Sequence, residues 1–267
     1  MTEVPTEPLL TAVRNFRDLG GLPARGGRTV RRGRLFRSGH LAHATAEDAA
    51  FLGSLGLRAV FDFRNAADLE LDGHDVALPG VRNVNIPLND PADGAAFWDL
   101  VRRGDVDRLR QQLAAGRGEE QMKATYRSIV LGKAAEQGRV LAALAEGDVP
   151  ALLHCAAGKD RAGLTVAVVL LALGVEREVI AEDYLRSNAP QSRYLVRRDE
   201  PAARPGATAL DLEVQRLLAP MFDARIEYLT AAFDTIDTHW GGTERYLTHG
   251  LGLTPPARDR LRSTLLE

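Results

Sequence analysis

The chain has 267 residues, 45% of them hydrophobic and 26% charged, with a formal net charge of −2. That balance belongs to a globular protein and gives no overall attraction for nucleic acid or an anionic membrane surface, so any affinity for phosphate has to be local. The single cysteine excludes an internal disulfide and a multi-cysteine zinc site, and the six histidines show no ligand spacing, so no metal and no other cofactor are expected.

Residues 1–12 carry prolines and acids but no basic start followed by an apolar core. No signal peptide is read there, the segment is expected to be flexible, and a cytoplasmic location is the default. Residues 13–37 alternate turns with short strand-like pieces, as at one edge of a sheet. Thr45 begins an amphipathic helix, with Glu47 and Asp48 forming an acidic first turn. Arg58 to Phe63 reads as a buried strand and Val81 to Pro87 as the next one. Residues 92–147 are helical by pattern, with breaks near Gly104, Gly116 to Gly118 and Gly132.

Pro150 to His154 is the expected central strand. Ala162 to Val175 is the longest uncharged apolar stretch, too short to cross a bilayer, and reads as a buried helix closed by Gly174. Stable membrane insertion is therefore not expected. A second helix runs from Glu176 to Arg186, residues 199–210 read as a mobile linker, and the last helix has Thr254 as cap with Pro255 at its first position. Strands alternating with helices predict an α/β fold, a central, mostly parallel sheet flanked by helices, formed as one domain over residues 1–267.

The most informative segment is His154-Cys155-Ala156-Ala157-Gly158-Lys159-Asp160-Arg161, placed between the predicted central strand and the buried helix. Backbone N–H groups at a helix start point at whatever occupies the preceding loop, and the helix dipole favours an anion there. The same field favours thiolate over thiol, which makes Cys155 a candidate nucleophile. Arg161 offers a planar fork matched to phosphate oxygens. The alternative for a lone cysteine is a small buried hydrophobe. Glycines at 158 and 163, together with the flanking strand and helix patterns, favour the phosphate loop.

With these residues the chain resembles the cysteine-dependent phosphatases, whose signature is His-Cys-x5-Arg. The Gly158-Lys159-Asp160-Arg161 filling resembles a narrower group, the atypical bacterial tyrosine and phosphoinositide phosphatases. Asn15-Phe16-Arg17-Asp18-Leu19-Gly20-Gly21, Leu35-Phe36-Arg37-Ser38, Asp62-Phe63-Arg64 and Asp183-Tyr184-Leu185-Arg186-Ser187-Asn188 resemble further motifs of that group. The stretch from Glu227-Tyr228-Leu229 to Tyr246-Leu247 resembles the group's C-terminal helices, so the likeness spans about residues 13 to 265. It implies a cysteine-phosphatase fold with a helical lid or insertion, and a substrate that is a phosphotyrosine protein or a phosphoinositide.

The resemblance assigns Cys155 as nucleophile and Arg161 as phosphate clamp, with the amides of Ala156, Ala157 and Gly158 lining the loop. His154 is expected to be structural, bonding within the loop in support of the thiolate. Asp90 aligns with the mobile-loop general acid, and Asp160 either donates the proton or anchors the loop. Lys159 adds a cation at the floor or rim of the pocket, a hint of polyanionic substrates, or else points to solvent. Arg17 and Arg64 are read as orienting the loop or the acid, with structural salt bridges as the alternative. Asp18 and Asp62 are expected to pair with the arginines of their own motifs.

Residues 190–225 are expected to form lid helices, with Tyr194, Leu195, Met221 and Phe222 as their apolar face or as core packing. One position departs from the group. Where Ser or Thr usually follows the loop arginine, this chain has Ala162, and Thr165 lies one turn further on. Without that hydroxyl, hydrolysis of a cysteinyl-phosphate is expected to slow. A phosphate-binding pseudophosphatase is the alternative from a different functional class.

Overall fold

A computed structural model describes residues 10–92, 95–103, 105–192 and 209–267. Its centre is a five-stranded sheet of β1 (Arg17–Asp18), β4 (Leu35–Ser38), β5 (Ala59–Asp62), β6 (Arg82–Asn85) and β7 (Ala151–His154), in the order β1-β4-β7-β5-β6. β4, β7, β5 and β6 are mutually parallel, and only the edge strand β1 runs antiparallel. A separate two-stranded ribbon pairs β2 (Pro23–Ala24) with β3 (Arg28–Thr29).

Side chains alternate across the sheet with the period of two that a strand imposes. Leu35, Ala59, Phe61, Ala151 and Leu153 face the larger core. Phe36, Val60 and Leu152 face a smaller one, closed by Leu52 and Leu57. The smaller side is covered by α1 (Ala46–Ser54), whose Thr45 and Asp48 form a reciprocal capping box, as the sequence suggested. The larger side takes α5 (Arg117–Gly132), α6 (Ala134–Ala145), α7 (Arg161–Leu173), α8 (Arg177–Leu185), α10 (Ile226–His239) and α12 (Pro255–Leu265). Residues 162 to 173 of α7 are all buried, as expected of a helix that is apolar all round and enclosed between layers.

The remaining helices are α2 (Ala66–Asp72), α3 (Ala95–Arg103), α4 (Val106–Leu113), α9 (Ala209–Phe222) and the short α11 (Thr243–Arg245). α9 packs on α4 and α5. There Leu218 joins Phe97, Leu109 and Leu113 in a third apolar cluster, against which Met221 and Phe222 pack. Met221 and Phe222 thus take the core-packing alternative, whereas Tyr194, Leu195 and most of the predicted linker lie outside the described residues.

At the amino end, residues 1–9 lie outside the described set. The expected flexibility does not extend to residues 11 and 12, because the Asp48 carboxylate accepts from Thr11 N and Ala12 N at 2.8 Å each. No helix among the described residues is long and apolar enough to cross a membrane. β7 returns to the middle of the sheet between β4 and β5, and Ser38, His154 and Asp62 stand in register at the three carboxyl ends. Open α/β sheets bind ligands where the strand order reverses in this way.

Candidate active site

Cys155 follows β7 directly and is 2% exposed. Residues 156–160 form the turn into α7, which begins at Arg161. The turn is held from outside by its carbonyls. Ala156 O accepts from His40 N at 3.1 Å, Ala157 O from Asn15 Nδ2 at 3.1 Å, and Gly158 O from Arg37 Nη2 at 2.6 Å. A peptide's N–H points opposite to its C=O, so carbonyls fixed outward leave the amides facing inward. Among the described residues no protein acceptor takes the N–H groups of residues 156–161. The result is a cradle of unsatisfied donors beside the thiol and at the positive end of α7.

Gly158 is required by the close packing of the loop. Its φ is +68°, and a Cβ there would lie 2.2 Å from Ser38 O.

Arg161 is fixed by residues from two other segments. Its Nη1 donates to Asp68 Oδ2 and, at 2.9 Å, to Asn89 Oδ1, while Nη2 reaches Asp68 Oδ1 at 3.3 Å. Burial opposes the guanidinium charge, but Asp68 and the adjacent Cys155 raise its pKa above the ordinary arginine value. Asp68 is also the third residue of α2, where its carboxylate accepts from Asn65 N in a capping box. One carboxylate thus starts a helix and orients the signature arginine.

The motifs at 15–18, 35–38 and 183–188 converge behind the loop. Arg37 Nη1 donates to Asp183 Oδ2 at 2.7 Å and Arg17 Nε to Asp183 Oδ1 at 2.7 Å, with all three side chains buried. Arg17 Nη1 donates to Asn15 Oδ1, and Asn15 Nδ2 also donates to Ser187 Oγ. Burial alone would raise the Asp183 carboxyl, but the two arginines hold it down to about 2. Burial, reinforced by Arg37, in turn draws Arg17 down to about 10. Arg17 is therefore a strut that acts on the loop through Asn15 and Asp183, not a substrate ligand. Asp18 does not pair with it, and accepts instead from Gly20 N and Gly33 N.

Arg64 is likewise fully buried, and its guanidinium is occupied. It donates to both oxygens of Asp62, to Asp75 Oδ1 and to Gly73 O. This satisfies the expected Asp62–Arg64 pairing, and among the described residues the Arg64 side chain makes no hydrogen bond to the loop. His154 bonds within the loop no more than Arg64 does. Its Nε2 is 2.9 Å from Asp75 Oδ2, close enough for an ion pair but not aligned as a hydrogen bond. Burial would raise the Asp75 carboxyl, yet His154 and Arg64 bring it down to about 2. Asp62, Asp75 and His154 place ligand atoms within 4.8 Å of one another, a metal-like grouping, but Arg64 already supplies the countercharge to both carboxylates.

Lys159 departs most from expectation. It is 4% exposed, and Nζ lies 3.0 Å from each of Met221 O, Asp223 O and Asp160 Oδ1. An ammonium has three protons, and these three acceptors match them. Lys159 therefore ties the end of α9 to the loop and presents no spare donor to the pocket. Asp160 Oδ1 also accepts from Tyr126 Oη at 2.8 Å, and Tyr126 contacts Tyr184 Oη at 2.7 Å. Burial, with Asp160 nearby, pushes both phenols well above the ordinary tyrosine value.

Asp90 is exposed just beyond β6, next to the Asn89 that touches Arg161, and its carbonyl accepts from Asn65 Nδ2. Ala162 is buried in the first turn of α7. Thr165 Oγ1 donates to Arg161 O at 2.9 Å and accepts from Gln137 Nε2, so it does not replace the missing hydroxyl.

Sequence reading missed Asp68, Asn89, Tyr126 and Asp75, and it named Arg37 without a role. The Asn65/Asp68 capping spacing was the only local signal among them. Nothing in the sequence joins Asp68 to an arginine 93 residues away.

A cysteine and an arginine bracketing an amide cradle at the carboxyl end of a central parallel strand define a phosphatase-type site. The chain matches the tyrosine phosphatase family over residues 8–267. It is 33% identical over 271 residues to the triple specificity protein phosphatase PtpB of Mycobacterium tuberculosis, covering 94% of this chain and 96% of that protein. It is 32% identical over 254 residues to a protein named as a tyrosine-protein phosphatase in Cupriavidus necator, covering 90% and 82% respectively. The chain belongs to this tyrosine phosphatase family and is a protein-tyrosine-phosphatase, a phosphoric monoester hydrolase.

Proposed function

We propose that the chain hydrolyses phosphotyrosine monoesters through a cysteinyl-phosphate, and that phosphoserine, phosphothreonine and phosphoinositides are further substrates. The observation that carries this reading is that, among the described residues, no protein acceptor takes the N–H groups of residues 156–161, in the turn between Cys155 and α7. A phosphoryl group supplies the acceptors these donors lack, and as charge spreads over its equatorial oxygens the donors need not move.

In the first step the Cys155 sulfur attacks phosphorus, forming S–P while the P–O bond to the alcohol breaks. Arg161 and the loop amides hold the equatorial oxygens. A carboxylic acid, Asp90 or Asp160, gives its proton to the leaving oxygen. In the second step water forms a new P–O bond and S–P breaks, the water proton passing to a carboxylate and the thiolate being restored. Asp160 is anchored through Oδ1 by Tyr126 and Lys159, which supports a fixed role, whereas Asp90 stands on the exposed segment beyond β6. The two are separated by Asp90→Asn and Asp160→Asn assayed on aryl phosphates of rising leaving-group pKa. The acid's variant loses most on the poorest leaving group.

The name of the mycobacterial relative, a triple specificity phosphatase, supports the wider substrate range. The commitment of Lys159 to Met221 O and Asp223 O weighs against a phosphoinositide-selective enzyme. The test is phosphate release from a phosphotyrosine peptide and from short-chain phosphatidylinositol 3-phosphate by wild type and Cys155→Ser. Turnover abolished by the substitution supports the cysteine mechanism. No release from either substrate by folded wild type would leave a phosphate-binding pseudophosphatase.

A further inference from the structure

We propose that the end of α7 opposite the phosphate loop carries a second anion site, which binds a small molecule bearing two or more carboxylate or phosphate charges. A cavity of about 500 Å³ lies where the turn at Gly174, the start of α8, the Gly241–Gly242 turn and α12 meet. α7 has 13 residues, so at about 1.5 Å per residue its two ends stand roughly 20 Å apart. The cavity shares no lining residue with the loop at 155–161. Its size falls in the range that holds small ligands.

Four arginines line the cavity: Arg25, Arg177, Arg258 and Arg262. Three of them are satisfied. Arg25 Nε donates to Glu176 at 2.7 Å, Arg177 holds Asp237 through both terminal nitrogens at 2.7 Å, and Arg258 does the same to Glu244. Arg262 differs. Its Nε donates to Ala172 O at 3.0 Å, and among the described residues no carboxylate lies within ion-pair distance of it.

The charges nearest Arg262 make the imbalance larger. Arg258 Nε converges on the same Ala172 carbonyl, and Arg28 Nη2 donates to Arg262 O. Burial and then Arg258 lower the Arg262 pKa, Arg28 adds to the effect, and Glu244 and Asp259 only partly offset it. Around the cavity the four guanidinium groups meet four carboxylates, Glu176, Asp237 and Glu244 in the ion pairs above and the exposed Glu178, so the unmatched positive charge is local to Arg262.

Gly174 and Gly242, with φ of +86° and +107°, belong to the lining, and a Cβ on Gly174 would meet Arg25 Cβ at 3.6 Å and Arg262 Nη2 at 3.8 Å, so the turn sits against both side chains. An anion there supplies the partner that the fold gives the other three arginines, and a planar carboxylate or a phosphate matches the two-pronged donor.

The test is calorimetric titration of citrate and of inorganic phosphate into wild type, Arg262→Ala, Arg262→Gln and Arg161→Ala, with a thermal melt on each. We expect citrate binding to weaken at least tenfold in Arg262→Ala and Arg262→Gln and to persist in Arg161→Ala. Phosphate is expected to show two sites in wild type and to lose a different one in each arginine variant. Arg262→Gln retains a donor toward the Ala172 carbonyl, so a variant that melts like wild type and has lost citrate binding supports the site. Absence of citrate binding to wild type at millimolar concentration overturns the proposal, as does citrate binding that Arg161→Ala abolishes and Arg262→Gln preserves.

Discussion

Two buried acid–arginine clusters flank the phosphate loop and act on different parts of it. Behind the loop, Asp183 holds Arg17 and Arg37, and Arg37 continues to the Gly158 carbonyl. Beside the strand, Asp62 and Asp75 hold Arg64, and Asp75 faces His154, the residue before the cysteine. The charge chemistry is the same in both, with carboxyls that burial would raise held down to about 2 at Asp183 and Asp75. Their reach differs. The Asp183 cluster holds the carbonyl side of the loop that follows Cys155, whereas the Asp75 cluster lies against His154 at the end of the strand that leads into Cys155. Buried charge therefore has a geometric role here beyond any gain in stability, since a buried ion pair adds little net stability over an apolar substitute.

Breaking the first cluster is the harshest test of that difference. Arg37→Ala leaves Asp183 short of a partner and the Gly158 and Lys159 carbonyls without the Arg37 donor, with an expected loss of about 3–5 kcal/mol. Urea unfolding measures the loss. Phosphate release is expected to fall at least a hundredfold even where the variant is folded. Arg37→Lys keeps the charge but not the fork, so if it retains full activity the geometric role is wrong.

Acid titration sharpens the comparison. The Asp183 carboxyl lies at about 2 in the fold against an ordinary 3.8. A lowered carboxyl stabilises the fold above its unfolded pKa, so this contribution, about 2 kcal/mol, is complete above pH ~4 and is lost as pH falls through about 2. Asp75 acts in the same window and direction. Asp183→Asn and Asp75→Asn are each expected to flatten the acid limb of a stability–pH curve. Only Asp183→Asn should also cut turnover steeply at neutral pH, and equal activity losses would erase the distinction between the clusters.

Lys159→Met is expected to cost about 1.5–3 kcal/mol, the scale of a charged hydrogen bond. It should lower phosphotyrosine and phosphoinositide turnover by similar factors, because its ammonium holds Met221 O and Asp223 O. A loss confined to the lipid substrate would return Lys159 to the pocket. The smallest effect is expected at Ala162, where the missing hydroxyl should leave a visible burst of product in stopped-flow assays. Ala162→Thr should diminish the burst, and the absence of a burst in both proteins would refute slow phosphoenzyme hydrolysis.

The sequence by itself determined the strand–loop–helix unit at 150–174, the capped start of α1, the helical breaks at Gly116 and Gly132, and the places of Cys155 and Arg161 at the two ends of the loop. These are local features, in which periodicity, capping chemistry and a glycine at a tight turn act over a few residues. Only the tertiary structure decided which partner each charged group took. Arg161 found Asp68 and Asn89, Lys159 found the end of α9, His154 turned to Asp75, and Arg37 rather than Arg64 reached the loop. With 31 arginines and 36 acids in the chain, composition permits very many such pairs. Strand register and helix packing select among them, because a buried charge must be matched by whatever the fold brings within a few ångströms of it.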